Sequence, residues 1–265
     1  MFRLPLHNIR RWSGLADRVR SLGTLCARRG VDLLFPPHCV NCSAEMETCN
    51  DEILLCGPCR QAIAPPDRQR CRRCGATLDC AAPSCPWCRK HELQFDQVLA
   101  LGEYVEPMRS MLLRLKRPRG DALSTALGRL LAQRHHDPLA ELQPQLVVPI
   151  PMHWQRRSWR GTNNADILAH TIAKVTPFAR DCSLLMRVRN TLPQKELQLT
   201  DRFRNMRGAF WVRAGYDLQG TRILLVDDIL TTGATCNAAT EALKRAGATR
   251  VAVAILARAE GRNSR

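Results

Sequence analysis

The sequence predicts an α/β protein: a parallel sheet flanked by helices, preceded by a cysteine-rich module. Three observations predict it. Ile223–Val226 is a short apolar run, Asn237–Ala246 reads as a helix stopped by Gly247, and Arg250–Leu256 returns as a second apolar run, which together make a βαβ unit. Upstream, apolar runs alternate with helical periodicities between Val98 and Val188. Before them, four C-x-x-C pairs follow one another between Cys39 and Cys88.

At 265 residues the chain can hold one substantial core and a small module. Two features depart from ordinary globular composition, thirteen cysteines and a formal net charge of +16. Such a charge favours nucleic acid, anionic lipid or phosphorylated ligands, but alone it sets only a field. Residues 1–30 carry arginines at 3, 10, 11, 18, 20, 28 and 29, with Leu15, Val19, Leu22 and Cys26 at helical spacing. This segment lacks the continuous apolar core of a secretory signal, and no later stretch is long enough to span a bilayer. A basic amphipathic helix or a solvated tail is expected there. Contact with a membrane surface is the alternative. No stable membrane insertion and a cytoplasmic location are expected.

Residues 31–92 hold the pairs Cys39/Cys42, Cys56/Cys59, Cys71/Cys74 and Cys85/Cys88. A C-x-x-C turn aims two thiolates at one ion, and two such turns complete a tetrahedral shell of four sulfurs. Taken in order, the pairs make two zinc-ribbon sites, and Gly57, Pro58, Gly75 and Pro86 suit their tight turns. A reducing compartment disfavours a disulfide framework, and a lone redox pair does not come four at a time. Zinc is expected over an iron–sulfur cluster, since each site has its own hairpin. So apolar-poor a module should need metal to fold. Cys49 and Cys80 lie between the pairs as possible substitute ligands, so one or two structural Zn²⁺ ions are expected.

Residues 93–265 have the composition of an α/β domain. Val98–Val105 reads as a strand, and Met108, Met111, Leu112 and Leu115 repeat as one apolar face of a helix. Leu123, Leu127, Leu130 and Leu131 mark a second helix, with the basic turn LKRPRGD between the two. Leu146–Ile150 is a strand broken by Pro149 and Pro151, and a helix begins near Asn164. The loop between them, MHWQRRSWRGTNN, is basic and contains glycine, which suits pyrophosphate; Trp154 and Trp159 among its arginines suit stacked bases instead. Leu184–Val188 is a further short strand, and the polar passage RNTLPQKELQLTDRFRN after it shows no helical apolar periodicity. His153 and His170 read as structural. Cys182 and Cys236 read as buried or idle thiols, and Cys236, at a helix start, is also a candidate for a lowered pKa.

The stretch ILLVDDILTTGAT, Ile223–Thr235, carries the chemistry. Asp227 and Asp228 follow its apolar run, and the turn Thr231-Thr232-Gly233-Ala234-Thr235 leads into the helix. Open α/β sheets bind ligands beyond the carboxyl ends of their strands. Gly233 lets backbone approach closely, the threonines offer hydroxyls, and a helix N-terminus presents free N–H groups to an anion. The acids cannot also grip phosphate and suit sugar hydroxyls, with Mg²⁺ nearby. The turn suits a phosphorylated sugar. An ordinary βα turn with two acids near a helix start is the plainer alternative.

This stretch resembles the phosphoribosyl pyrophosphate (PRPP) motif of type I phosphoribosyltransferases. With the cysteine-rich module, the PIP…RG-x-N segment from Pro149 to Asn163 and the closing LAR at Leu256–Arg258, the chain resembles the ComF family over nearly everything from Val31 to Arg258. The resemblance implies a type I phosphoribosyltransferase-like parallel sheet with a zinc-ribbon module at its N-terminus. It places the 5-phosphate on Thr231, Thr232, Gly233, Ala234 and Thr235, and the ribose hydroxyls on Asp227 and Asp228, with Mg²⁺. The family's pyrophosphate loop, usually RGFNQ, reads RGTNN here, which leaves Arg160, Gly161 and Asn163 in its roles. A Lys-x-x-Gly-like element falls at Lys116. The loop that closes over PRPP has the pattern R…T..Q..L…R..N, met in order by Arg187, Thr191, Gln194, Leu197, Arg202 and Asn205. Transfer of a phosphoribosyl group to an unidentified acceptor with release of pyrophosphate is implied, with Asp227, Asp228 and Arg160 as catalytic residues. Some base-salvage relatives carry an acid where Thr231 stands. The alternative is a non-catalytic or PRPP-regulated factor in DNA uptake, meeting single-stranded DNA or a competence helicase or recombination protein.

Overall fold

The computed structural model describes residues 36–46, 53–65, 69–78, 84–115, 120–152, 163–177, 179–192 and 197–259. The chain divides into two compact units, Met1–Cys56 and Gly57–Arg265. In the first, a tight knuckle is closed by backbone bonds from Cys39 N–H to Ala44 and from Ser43 N–H to Cys39, both 2.8 Å. An antiparallel bridge joins His38 to Glu45.

The second unit is built on a five-stranded sheet of order β1-β7-β6-β2-β3. Its strands are β1 (Gln97–Glu103), β2 (Leu146–Pro149), β3 (Arg180–Asp181), β6 (Arg222–Leu230) and β7 (Arg250–Arg258). Every neighbouring pair is parallel. Parallel strands are covered on both faces, which is why β7 is a continuous apolar run, Val251–Ala257, every residue of it 0% exposed. Ile223 and Leu225 of β6 and Val251, Val253 and Ile255 of β7 join one cluster with Ala238, Ala239, Ala242 and Leu243 of helix α8 (Ala234–Arg245). By strand alternation the equally buried Leu224, Val226, Ala252 and Ala254 face the other side. That side is covered by α4 (Asp121–Arg134) and α6 (Asn164–Val175), which pack on each other and on the sheet.

The remaining helices are α1 (Gly57–Ile63), α2 (Pro86–Lys90), α3 (Met108–Arg114), α5 (His136–Leu142) and α7 (Leu199–Met206). Beside the main sheet, β4 (Leu185–Arg187) pairs antiparallel with β5 (Phe210–Val212), and α7 lies between them in sequence. The polar passage before residue 206 thus contains a helix that periodicity did not predict. Among the described residues, no helix is long and apolar enough to cross a membrane.

The ribbon between Cys71 and Cys88 belongs to this second unit. Cys74 and Ala76 sit in the same core cluster as Phe95, Val98 and Ile255, and Val98 N–H donates to the Arg72 carbonyl at 2.8 Å. Its knuckle repeats the first one's plan, with an Arg70–Thr77 bridge.

A close approach within this unit gives a test. A Cβ at Gly102 of β1 would lie 2.2 Å from the Ile63 carbonyl oxygen at the end of α1. Gly102→Ala should lower stability by about 2–3 kcal/mol through overpacking. Urea unfolding reads this as a lower midpoint at an unchanged slope, and an unchanged midpoint would show that α1 moves aside freely.

Candidate active site and metal centres

Strand β6 runs straight through the two acids and ends at Leu230, rather than stopping before them. The reason is its partner. β7 continues to Arg258, and the ladder carries on through Asp227–Ile255, Ile229–Ala257 and Leu230–Arg258. The acids therefore stand on the carboxyl end of a central strand, both half-buried. Each carboxylate accepts the next backbone N–H: Asp228 N–H to Asp227 Oδ1 at 2.9 Å, and Ile229 N–H to Asp228 Oδ1 at 2.8 Å. Burial, and then the Asp228 charge beside it, push the Asp227 carboxyl well above its usual range, with Arg187 pulling the other way. Two adjacent carboxylates are oxygen donors of the kind Mg²⁺ takes, and a dication would relieve their repulsion.

The turn after β6 leads directly into α8, which starts at Ala234, three residues before the start predicted from sequence. Gly233 is the residue before it, at φ 87°, left-handed backbone that a side chain disfavours. A Cβ there would also sit 3.4 Å from Phe95 and 3.6 Å from Leu93. The threonines are not equivalent. Thr232 is 1% exposed and accepts the Ala234 N–H at 3.3 Å, so its hydroxyl is committed to the turn itself. Thr231 and Thr235 are half-buried.

Of the other predicted residues, Asn163 is described and Arg160, Gly161, Lys116 and Gln194 lie outside the described residues. Asn163 is 7% exposed, and its amide donates to the Ile150 carbonyl at 3.1 Å and to Asp166 Oδ1 at 3.0 Å. It ties the end of the β2 region to the start of α6. Similarly, the residues matching the closing-loop pattern hold that segment together. The Arg187 guanidinium donates to the Thr191 hydroxyl and to Met206 Sδ, and Asn205 pairs with both backbone groups of Leu192, at 3.2 and 3.0 Å. His170 Nδ1 lies 3.1 Å from Asp181 Oδ2, joining α6 to β3, in keeping with a structural role.

Two groups of four cysteines come together among the described residues: Cys39, Cys42, Cys56 and Cys59, and Cys71, Cys74, Cys85 and Cys88. All sulfurs within each group lie within 4.8 Å of one another. The pairs Cys42–Cys56, Cys71–Cys88 and Cys74–Cys85 are 3.6, 3.8 and 3.5 Å apart. A tetrahedron with Zn–S of about 2.3 Å has edges of about 3.8 Å, so both groups fit structural zinc. Thiol chemistry agrees. Burial opposes the Cys39 thiolate, but the backbone N–H groups of Cys42, Cys56 and Asn41 outweigh it and hold the thiol down to about 6. In the other group, burial pushes Cys74 up, and burial with the neighbouring Cys71 and Cys85 leaves Cys88 raised to about 12. Four thiols crowded together compete for charge unless a dication neutralises them all.

Cys236 is buried, as its reading as a buried or idle thiol expects, and burial followed by the charges of Asp227 and Asp228 pushes its thiol well up, so the alternative of a lowered pKa falls. The residue missed from sequence is Arg258, 1% exposed at the end of β7, whose Nη1 donates to the Leu230 carbonyl at 3.0 Å and to that of Thr231. Only its place in the closing LAR marked it in the sequence.

Comparison with known proteins agrees with this geometry. The phosphoribosyl transferase domain family matches residues 120–265, and the double zinc ribbon domain family matches residues 30–90. Competence protein F of Haemophilus influenzae is 29% identical over 229 residues, spanning 85% of this chain and 98% of its own. DNA utilization protein YhgH is 33% identical in Salmonella typhimurium and 31% in Escherichia coli K12, each spanning 77% of this chain and 90% of its own. With a double zinc ribbon, a phosphoribosyl transferase domain and these relatives along most of its length, the chain belongs to the ComF family.

Proposed function

We propose that the chain binds PRPP with Mg²⁺ on the β6–α8 turn and transfers its phosphoribosyl group to a nitrogen nucleophile, releasing pyrophosphate. One observation carries this reading: two adjacent carboxylates on the carboxyl end of a central parallel strand, followed at once by a left-handed glycine and a helix start. That arrangement lies inside the stretch matched by the transferase domain family. Backbone N–H groups of the turn Thr231–Thr235 and the hydroxyls of Thr231 and Thr235 take the 5-phosphate, and Asp227 and Asp228 accept hydrogen bonds from the ribose 2- and 3-hydroxyls. Mg²⁺, when bound, neutralises charge on the pyrophosphate. Arg160, from the basic loop, adds to this. As the bond from C1 to pyrophosphate oxygen breaks, its electron pair leaves with the pyrophosphate. The nucleophile's lone pair then forms the new bond to C1, and its proton passes to solvent. The acids face the positive charge that develops on the ring, so catalysis is positioning and electrostatics. By its resemblance to the family's closing loop, the passage holding Gln194 has the role of keeping water from C1.

Asp227→Asn combined with Asp228→Asn should weaken PRPP binding roughly 100-fold, two charge-assisted contacts at about 1.5 kcal/mol each. Calorimetry measures it, and retained affinity or retained pyrophosphate release would remove the acids from the site. The raised Asp227 carboxyl gives a sign to the pH dependence. Binding needs the ionised acid, so affinity for PRPP and Mg²⁺ should rise with pH through the raised pKa, with a proton released on binding. Without ligand the sign is opposite: a raised carboxyl stabilises the fold fully below the unfolded pKa, and this is lost as pH rises through the folded one. Asp227→Asn alone should therefore stabilise the unliganded protein against urea at neutral pH while it loses PRPP. A destabilised variant would contradict the buried-charge account.

A specific observation also favours contact with single-stranded nucleic acid. Trp211 and Tyr216 are 61% and 46% exposed and share a cavity of about 290 Å³ with Arg213 and Arg245. Exposed rings beside guanidinium groups suit stacked bases and their phosphates. The affinity of the whole chain for single-stranded DNA should fall steeply with salt and drop roughly tenfold in Trp211→Ala, one lost stacking contact. A flat salt dependence would end this reading.

A further inference from the structure

Arg258 reaches in two directions from the end of β7. Its Nε donates to the Cys74 carbonyl at 3.0 Å, and Trp87, between the ligands Cys85 and Cys88, lies with its ring 5.2 Å from the guanidinium carbon. On the other side its Nη1 donates to the carbonyls of Leu230 and Thr231, where the turn leaves β6. One buried side chain thus spans the distance from a metal knuckle to the turn proposed for the sugar phosphate.

The two sites also touch without it. Leu93 and Phe95, on the link leaving the ribbon, back Gly233 on the turn. Gln94 N–H donates to Asn237 Oδ1 of α8 at 2.6 Å. On the far side Trp87 stacks on His91 at 4.2 Å, and His91 stacks on Phe203 of α7 at 5.6 Å.

We propose that Arg258 is a positioning residue that couples metal occupancy of Cys71, Cys74, Cys85 and Cys88 to the shape of the β6–α8 turn. The proposal rests on the turn being the PRPP site. A buried guanidinium is tolerated only while its donors are met. If the ribbon loosens without metal, the Cys74 carbonyl leaves Nε, and the cation can no longer hold Leu230 and Thr231 in place. Conversely, a ligand that fixes the turn fixes Arg258, and Arg258 fixes the ribbon. Linkage makes the effect reciprocal.

Hydrogen exchange by mass spectrometry on the full zinc-loaded chain tests this, read on segments 71–78 and 229–237. PRPP with Mg²⁺ should slow exchange about tenfold at 229–237 by contact and also at 71–78, within the usual range of coupling between sites. Chelating the zinc should speed exchange at 229–237 as well as at 71–78. In Arg258→Lys the charge remains but its single nitrogen cannot reach the Cys74 carbonyl and those of Leu230 and Thr231 together, so PRPP should protect 229–237 and no longer reach 71–78, at unchanged metal content. Protection of 229–237 with no change at 71–78 in the wild-type chain would overturn the coupling, and so would an unchanged 229–237 after chelation. Those wild-type arms decide the matter even if the variant does not fold. No PRPP effect on either segment, with no heat of binding, would instead overturn the reading of the turn and the coupling with it.

Discussion

The structure depends on the parallel pairing of β6 with β7 beyond the point where β6 stops being apolar. Apolar burial accounts for Ile223–Val226, but Asp227, Asp228 and Ile229 remain extended because β7 offers a partner as far as Arg258. The ladder sets the orientation of both acids, and the turn begins from a fixed Leu230. A strand ending at Val226 would leave the acids on a loop whose backbone could follow the ligand. Here the backbone is held on one side by β7 and by β2 up to Val226, so the proposed ligand site begins from a rigid edge.

That rigidity has an electrostatic cost. Two carboxylates are held side by side, one of them raised by burial and by its neighbour. A packed fold gains nothing from this arrangement, in keeping with the sugar and Mg²⁺ site proposed there. The metal ribbons show the same logic with sulfur. In the second group Cys85 is drawn down while Cys74 and Cys88 are pushed up, a spread that follows from asking four thiols to share one small volume. In both places the side chains are arranged for a charge they do not themselves supply.

Much of this was legible in the sequence, since each long element is written in local patterns. The stripe of Leu123, Leu127, Leu130 and Leu131 is the buried face of α4, and the spacing of the C-x-x-C pairs gave both four-sulfur groups. The losses share a cause, which is dependence on distant partners. β3 is only Arg180–Asp181, exposed and polar, and is a strand solely because β2 pairs with it. α7 is short and sits in a polar passage; Phe203 is supported by His91 from the ribbon, and Asn205 grips Leu192. Thr232 reads in the sequence only as a candidate ligand, while its oxygen also accepts the Ala234 N–H within its own turn. Arg258 binds a carbonyl 184 residues away, which no local reading finds.

The position of β1 has a practical consequence. It lies at one end of the sheet, against β7, yet it precedes residue 120, where the transferase family's match begins. A fragment cut at that residue would strip β7 of a partner along one whole side. The exposed edge would be Val251–Ala257, with unpaired backbone groups and without a charge, proline or bulge to deter a second molecule from adding a strand. Recombinant work on the phosphoribosyl transferase domain should keep everything from Gly57 onward, or expect aggregates whose cause is a missing strand rather than a missing metal.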